Sequence, residues 1–246
     1  MTVIHWDFGS AYDFFISLFV IHHPDRFGLR AAWAAGVRSR FSPEDREFLE
    51  DTLSFLAVPL TWVNSLPLAD KNAGSVLDLL FQIPPEKRLM VLFQHSQLTP
   101  VVHQTLDRIQ SRQKIIPDDL DILRTLFQKR SVPIKTRDVQ KLAEAFLHPE
   151  AFGNQLLEIL QAYYQVFFAE EEERILPELR EGLQEAQQLA EMISLPSLLE
   201  TLSHGVSLEN PDIYRKVTLV PSYWSSPLIF FNNPQPDELL MVFGCR

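Results

Sequence analysis

The stretch Asn154 to Ile193, NQLLEILQAYYQVFFAEEEERILPELREGLQEAQQLAEMI, is the longest periodic segment of the chain and decides its fold class. Leu156, Leu160, Tyr163 and Phe167 fall on one stripe, and Leu179, Leu183, Ala186 and Ala190 form a later one. That spacing is the signature of amphipathic helix. Pro177 stands between the stripes without the N–H that an interior helical turn needs, so the segment reads as two helices or as one kinked helix. The acid run Glu170 to Glu173 could suggest a metal site or a catalytic carboxylate pair. It reads instead as a solvated face placed ahead of a helix start at Pro177, where acids suit the positive end of the dipole.

Toward the N-terminus the same grammar recurs in shorter units. Ser42-Pro43-Glu44-Asp45 has a capping hydroxyl, a proline whose missing donor costs nothing in a first turn, and acids beside it. Phe48, Leu49, Thr52, Leu53 and Leu56 follow at helical spacing. Thr99-Pro100 and Ile116-Pro117-Asp118-Asp119 are similar starts, the latter leading into Leu120, Leu123 and Leu126. From Ser10 to Ile21 the apolar positions Tyr12, Phe14, Phe15, Leu18, Phe19 and Ile21 suit a helix covered almost all round, and Pro24 interrupts it.

Toward the C-terminus, after Pro211, the period changes. Tyr214 to Val220, Leu228 to Phe231 and Leu239 to Phe243 are short runs rich in β-branched and aromatic residues, separated by proline and asparagine punctuation. The expected fold is mainly α (α+β), with a multi-helix domain over 1–205 and a small antiparallel β-sheet over 206–246 packed on the helices.

Composition narrows the function. The chain has 246 residues, 46% of them hydrophobic, enough for a sizeable core. A formal charge of −10 argues against this surface lying along phosphates, because nucleic-acid affinity comes largely from Lys and Arg displacing counterions. The single Cys245 excludes an internal disulfide and is a poor start for a zinc site. Asp7 and Asp13 stand where a signal peptide would need a basic stretch, and the apolar run Phe14 to Ile21 is far short of the roughly 20 residues of a spanning helix. A cytoplasmic protein outside the membrane is expected.

Motifs for chemistry are missing. The 8 glycines form neither a dinucleotide fingerprint nor a phosphate loop, and neither a Gly-x-Ser-x-Gly elbow nor a His-Glu-x-x-His helix occurs. His22, His23 and Asp25 are close in sequence, but adjacent histidines on a helix diverge by about 100°. A helix-end position explains them better. His95 and His103 flank Pro100 and need not share a face. Arg26, Arg30, Arg38 and Arg40 with Trp33 and Phe41, and the stretch Lys129 to Lys141, are modest basic patches diluted by Asp25, Glu44 and Asp45. Phe27 to Arg40 reads as a close-packed helix whose arginines hold acids on a neighbouring element. The sequence specifies no catalytic residue, cofactor or metal ligand.

Four features together resemble the long N-terminal region of a group of ArsR-type winged-helix transcriptional regulators. They are Trp6-Asp7 followed by Ser10-Ala11-Tyr12-Asp13-Phe14-Phe15-Ile16-Ser17-Leu18; Tyr163-Tyr164-Gln165-Val166-Phe167-Phe168-Ala169-Glu170-Glu171; Val220-Pro221-Ser222 with Tyr223, Trp224 and Pro227; and the strand Leu239 to Gly244. The resemblance implies a regulatory region, with DNA binding expected from a winged helix following Arg246, and no segment within the chain reads as a recognition helix. It further implies a homodimer that sets the spacing of two DNA-binding modules; Tyr163, Tyr164, Phe167, Phe168 and Trp224 could line an apolar effector pocket, but core packing explains such a stripe more often. Two other classes stay open. One is a small-molecule enzyme whose site gathers His95, His103 and Glu171; the other is a helical scaffold acting through an exposed apolar patch.

Overall fold

The computed structural model describes residues 2–93, 98–127, 134–208, 213–226 and 228–245. His95, Lys129, Arg130, Pro211, Pro227 and Arg246 lie outside the described residues. The chain is 66% helical with 9% strand, so it is mainly α with a small sheet. No described helix is long and apolar enough to cross a membrane.

Strand β1 (Val3–Trp6) leads through Asp7 to Gly9 into helix α1 (Ser10–His22). A Cβ at Gly9 would collide with the Lys71 carbonyl, so the turn is a close approach of two backbones that only glycine permits. Helix α1 buries all but two of its residues, Phe19 and His22, as its nearly unbroken apolar sequence requires. Short helices follow: α2 (Ala31–Arg38), α3 (Pro43–Phe55), α4 (Leu60–Ser65), α5 (Ala73–Gln82), α6 (Pro85–Leu92), α7 (Pro100–Arg112), α8 (Pro117–Arg124) and α9 (Thr136–Leu147). The expected starts are present. The Ser42 and Thr99 side chains accept from Asp45 N–H at 3.0 Å and Val102 N–H at 3.4 Å, and Pro43, Pro100 and Pro117 occupy first turns.

The long periodic segment is one continuous helical rod. Helix α10 (Pro149–Tyr163) passes through a π-helical turn, Tyr164–Phe168, into α11 (Ala169–Met192), which contains Pro177 in its interior. Helix α12 (Leu195–Leu202) then leads toward the sheet. The segment Phe27 to Arg40 is not close-packed: within α2 only Ala34 and Val37 are buried.

The sheet is where expectation and structure part. Strands β2 (Lys216–Ser222), β3 (Phe230–Asn232) and β4 (Glu238–Gly244) match the three expected runs, but the sheet is mixed, in the order β1-β2-β4-β3. Strands β1 and β2 are parallel, β2 and β4 are parallel from Lys216↔Glu238 to Ser222↔Gly244, and only β3 and β4 run antiparallel. The strand from the first residues was not anticipated, since Val3–Trp6 is only four residues long. Burial on both faces was the missed signal: Val217 to Ser222 and Leu239 to Phe243 are continuously buried, which is the pattern of central parallel strands. On one face Val217, Leu219, Leu239, Met241 and Phe243 pack with Ala186, Leu198 and Leu199; on the other Val220, Leu240 and Val242 join the main helical core.

Candidate functional site

Three polar residues of α1, Ser10, Asp13 and Ser17, are fully buried. Their spacings of three and four put them on one stripe of the helix, and each meets a different distant segment. The Asp13 Oδ1 atom accepts from Ser222 Oγ at 2.8 Å and Trp224 N–H at 2.7 Å, fastening α1 to the end of β2. Its Oδ2 atom has no hydrogen-bond partner. Burial, which penalises the charged form, pushes the Asp13 carboxyl up to about 7 against the pull of those donors. Ser17 Oγ lies 2.9 Å from Tyr163 OH. Ser10 Oγ donates to Glu172 Oε1, which also accepts the Ala73 N–H at 3.0 Å, while Tyr164 OH donates to Glu172 Oε2 at 3.0 Å.

A second network closes the β1–α1 turn. Asp7 Oδ2 accepts from Tyr12 OH at 2.5 Å, from Asn64 Nδ2 at 3.1 Å and from the Lys71 ammonium, which also donates to the Asn64 carbonyl at 2.9 Å. The Lys71 and Asp7 side chains are 6% and 12% exposed, so this is an ion pair largely withdrawn from water. Glu171, beside Glu172, is held by Arg174 and by Trp224 Nε1 at 3.0 Å, and Arg174 reaches Tyr223 OH at 3.0 Å. The acid run is therefore divided: Glu171 and Glu172 turn inward to named donors, and Glu170 and Glu173 remain exposed.

The π turn explains how one helix serves both networks. Its wider turn lets Tyr163 and Phe168, five residues apart, both enter the core, 1% and 0% exposed. Phe14 meets Tyr163 at 5.4 Å and Phe168 at 5.2 Å between ring centroids. Each such pair adds roughly 0.5–1.5 kcal/mol beyond area burial. At the rim of this core the exposed Trp33 stacks on the buried Trp224 at 5.9 Å, with Phe167 across both. Tyr163 and Phe168 are thus packed ring on ring in the core, not arranged around a pocket.

The remaining candidates are dispersed. His22 and His23 turn their Nδ1 atoms back to the Leu18 and Phe19 carbonyls at 2.8 and 2.9 Å, satisfying the end of α1. Burial lowers the His22 imidazole to about 4. Asp25 is exposed in the following turn. His103 is exposed on α7, and Cys245 packs its side chain against Gly182, burial raising its thiol to about 12. Among the described residues Arg40 pairs with no acid, and its Nη1 donates to the Val166 carbonyl at 2.6 Å. Arg137 and Lys141 share Asp51. Two open clefts, of about 530 Å³ between Glu86, Gln110, His148 and Asn154 and of about 460 Å³ between Arg38, Arg46, Glu50 and Arg137, include neither His103 nor Glu171. Among the described residues no group of three His, Cys, Asp or Glu side chains is placed to hold a metal ion.

Sequence reading missed the networks. In sequence Ser17 stands as a break in the apolar run Phe14 to Ile21, and Asp7 and Asp13 read only as signs against a leader, whereas the usable signal was the spacing of Ser10, Asp13 and Ser17 inside a helix otherwise apolar. Comparison of the chain with protein-family models, with curated proteins and with solved structures finds no match.

Proposed function

We propose that this chain is the regulatory and dimerising region of an ArsR-like transcriptional regulator in the cytoplasm, with DNA held by a winged helix outside these residues. One observation carries the reading. The four stretches in which the resemblance resides, far apart in sequence, meet in one hub: Asp13 bonds Ser222 and Trp224, Ser17 bonds Tyr163, and β2 pairs with β4 along its whole length. The charge of −10 and the engagement of Arg40, Arg137 and Lys141 within the chain support a role apart from the phosphates. A small-molecule effector is part of the proposal through the open clefts rather than through the aromatic stripe.

The test is the coding sequence past codon 246 in its genomic setting, followed by fluorescence anisotropy of the natural product on its own upstream DNA. The expected result is a continuing frame with a helix-turn-helix, DNA binding by the product, and none by residues 1–246 alone. A stop directly after codon 246, or tight duplex binding by residues 1–246, overturns the reading. The enzyme alternative needs two or more of His95, His103 and Glu171 in one pocket; His95 lies outside the described residues, and Glu171 is held by Arg174 and Trp224.

A further inference from the structure

The sheet ends on β1. Val3 N–H donates to the Arg215 carbonyl at 2.9 Å and Asp7 N–H to the Leu219 carbonyl at 3.1 Å. Because a strand alternates, the backbone groups of Val3, His5 and Asp7 face β2 and those of Ile4 and Trp6 point outward. Among the described residues nothing accepts from or donates to Ile4 or Trp6 on that side. An edge of this kind is a template for another strand unless proline, lysine or a bulge guards it. Val3-Ile4-His5-Trp6 has none of these, and its register with β2 is unbroken.

The side chains add an apolar margin. Ile4 and Trp6 are half-buried against the cluster of Val217, Leu219 and Met241. Val3 is 61% exposed, as is Ile213, the residue before the Tyr214 whose carbonyl accepts from Thr2 Oγ1.

We propose that a second copy of this chain adds its own β1 to this edge, antiparallel, about a two-fold axis through His5. The inference rests on the reading of the chain as a dimerising region and names the surface that does it. Under that axis Ile4 of one copy stands opposite Trp6 of the other, so that two N–H and two C=O groups of each strand find partners and none is left over. A longer foreign strand would overhang a four-residue edge; the same strand matches it. Charge points the same way. Two copies that each carry −10 repel over most of their surfaces, but Val3 to Trp6 contains no acid, and Asp7 at its end is neutralised by Lys71.

The experiment is sedimentation equilibrium of residues 1–246 across the micromolar range, paired with hydrogen exchange at single-amide resolution, on the wild type and on His5→Lys. The variant sets two ammonium groups opposite each other across the axis while leaving the His5 backbone bonds to β2 intact. The expected result is a wild-type dimer with slowed exchange at Ile4 and Trp6, and a dissociation constant raised about tenfold or more in the variant, a change of roughly 1.4 kcal/mol. A wild-type dimer whose Ile4 and Trp6 amides exchange fast, or whose affinity His5→Lys leaves unchanged, overturns the edge and spares the dimerising reading. A wild-type monomer throughout overturns both. Exchange at Ile4 and Trp6 needs no substitution, so the proposal remains testable even if the variant misfolds.

Discussion

The hub around α1 and the lobe of α7, α8 and α9 are both helical, yet they bury very different amounts of polar structure. In the lobe the apolar residues Val102, Leu106, Ile109, Leu123, Val139, Leu142 and Phe146 do most of the packing, and the buried charge is Asp119, which pairs with the half-exposed Arg108 near the surface. In the hub an ion pair, an acid with one unpartnered oxygen, and several hydroxyls lie inside the core among rings. Apolar packing tolerates many substitutions of similar volume, whereas a buried polar network fixes a single arrangement and fails when one member is lost. The hub should therefore break abruptly and the lobe gradually.

The largest effect is expected from Asp7→Ala. It leaves the Lys71 ammonium 6% exposed with only the Asn64 carbonyl to receive it, and breaking a buried pair in this way costs about 3–5 kcal/mol. The urea midpoint should fall accordingly with an unchanged slope. A loss no greater than that of an exposed ion pair, about 0–1 kcal/mol, would show that water reaches this pair and that the contrast with the lobe is overdrawn.

Asp13 gives the next largest effect, and its sign is fixed by burial. The carboxyl is raised from 3.8 to about 7 in the folded chain, so between those values the folded state holds a proton that the unfolded state has released. Its contribution to stability is present below 3.8 and declines as pH rises toward 7. His22 opposes it: an imidazole lowered from 6.5 to about 4 makes the fold lose stability as pH falls through that range. Asp13→Asn retains an acceptor for Ser222 and Trp224 and removes the charge. The difference in unfolding free energy between variant and wild type, followed from pH 4 to pH 8, should grow in favour of the variant as pH rises. A flat difference would mean that Asp13 is solvated.

Ser17→Ala is smaller. It strands the Tyr163 hydroxyl, 1% exposed, and should cost about 1–3 kcal/mol. Tyr163→Phe in the same background should recover part of that loss, because removing both partners leaves no orphan. If the double variant is no better than the single one, the cost comes from packing and the hub loses this member of its network.

How far each region was legible follows from the same contrast. The lobe was readable because caps and period are local: Thr99 and Pro100, Pro117 and Asp119, Leu120 and Leu123 announce themselves within a few residues. The hub was legible only in its apolar positions. Nothing near Asp13 in sequence names Ser222, 209 residues away, and nothing near Ser10 names Glu172. The mixed sheet was hidden for a similar reason. The punctuation marked the three C-terminal runs as strands, but the partner that makes β2 a central strand on its other side is Val3–Trp6, at the opposite end of the chain. The stretches around Ser10, Tyr163, Val220 and Leu239 meet because each contributes an apolar face to the hub, while the polar bonds that join them are pairwise and leave no periodic trace.

The smallest effect belongs to the lobe and is the sharpest control on the comparison. Thr99 caps α7 by accepting the Val102 N–H at 3.4 Å, a long bond at an exposed helix end. Thr99→Ala should cost about 1 kcal/mol or less, since water can take over the orphaned donor. It should also act locally: amides of the first turn of α7 should exchange faster, while those of α8 and α9, which the lobe's apolar contacts hold independently of the cap, should change only by the global loss. Asp7→Ala, by contrast, should accelerate exchange throughout α1, β1 and β2 together. If Thr99→Ala instead loosened α9 as much as α7, the lobe would be a cooperative unit of the hub's kind, and the distinction between local caps and a shared buried network would have to be given up.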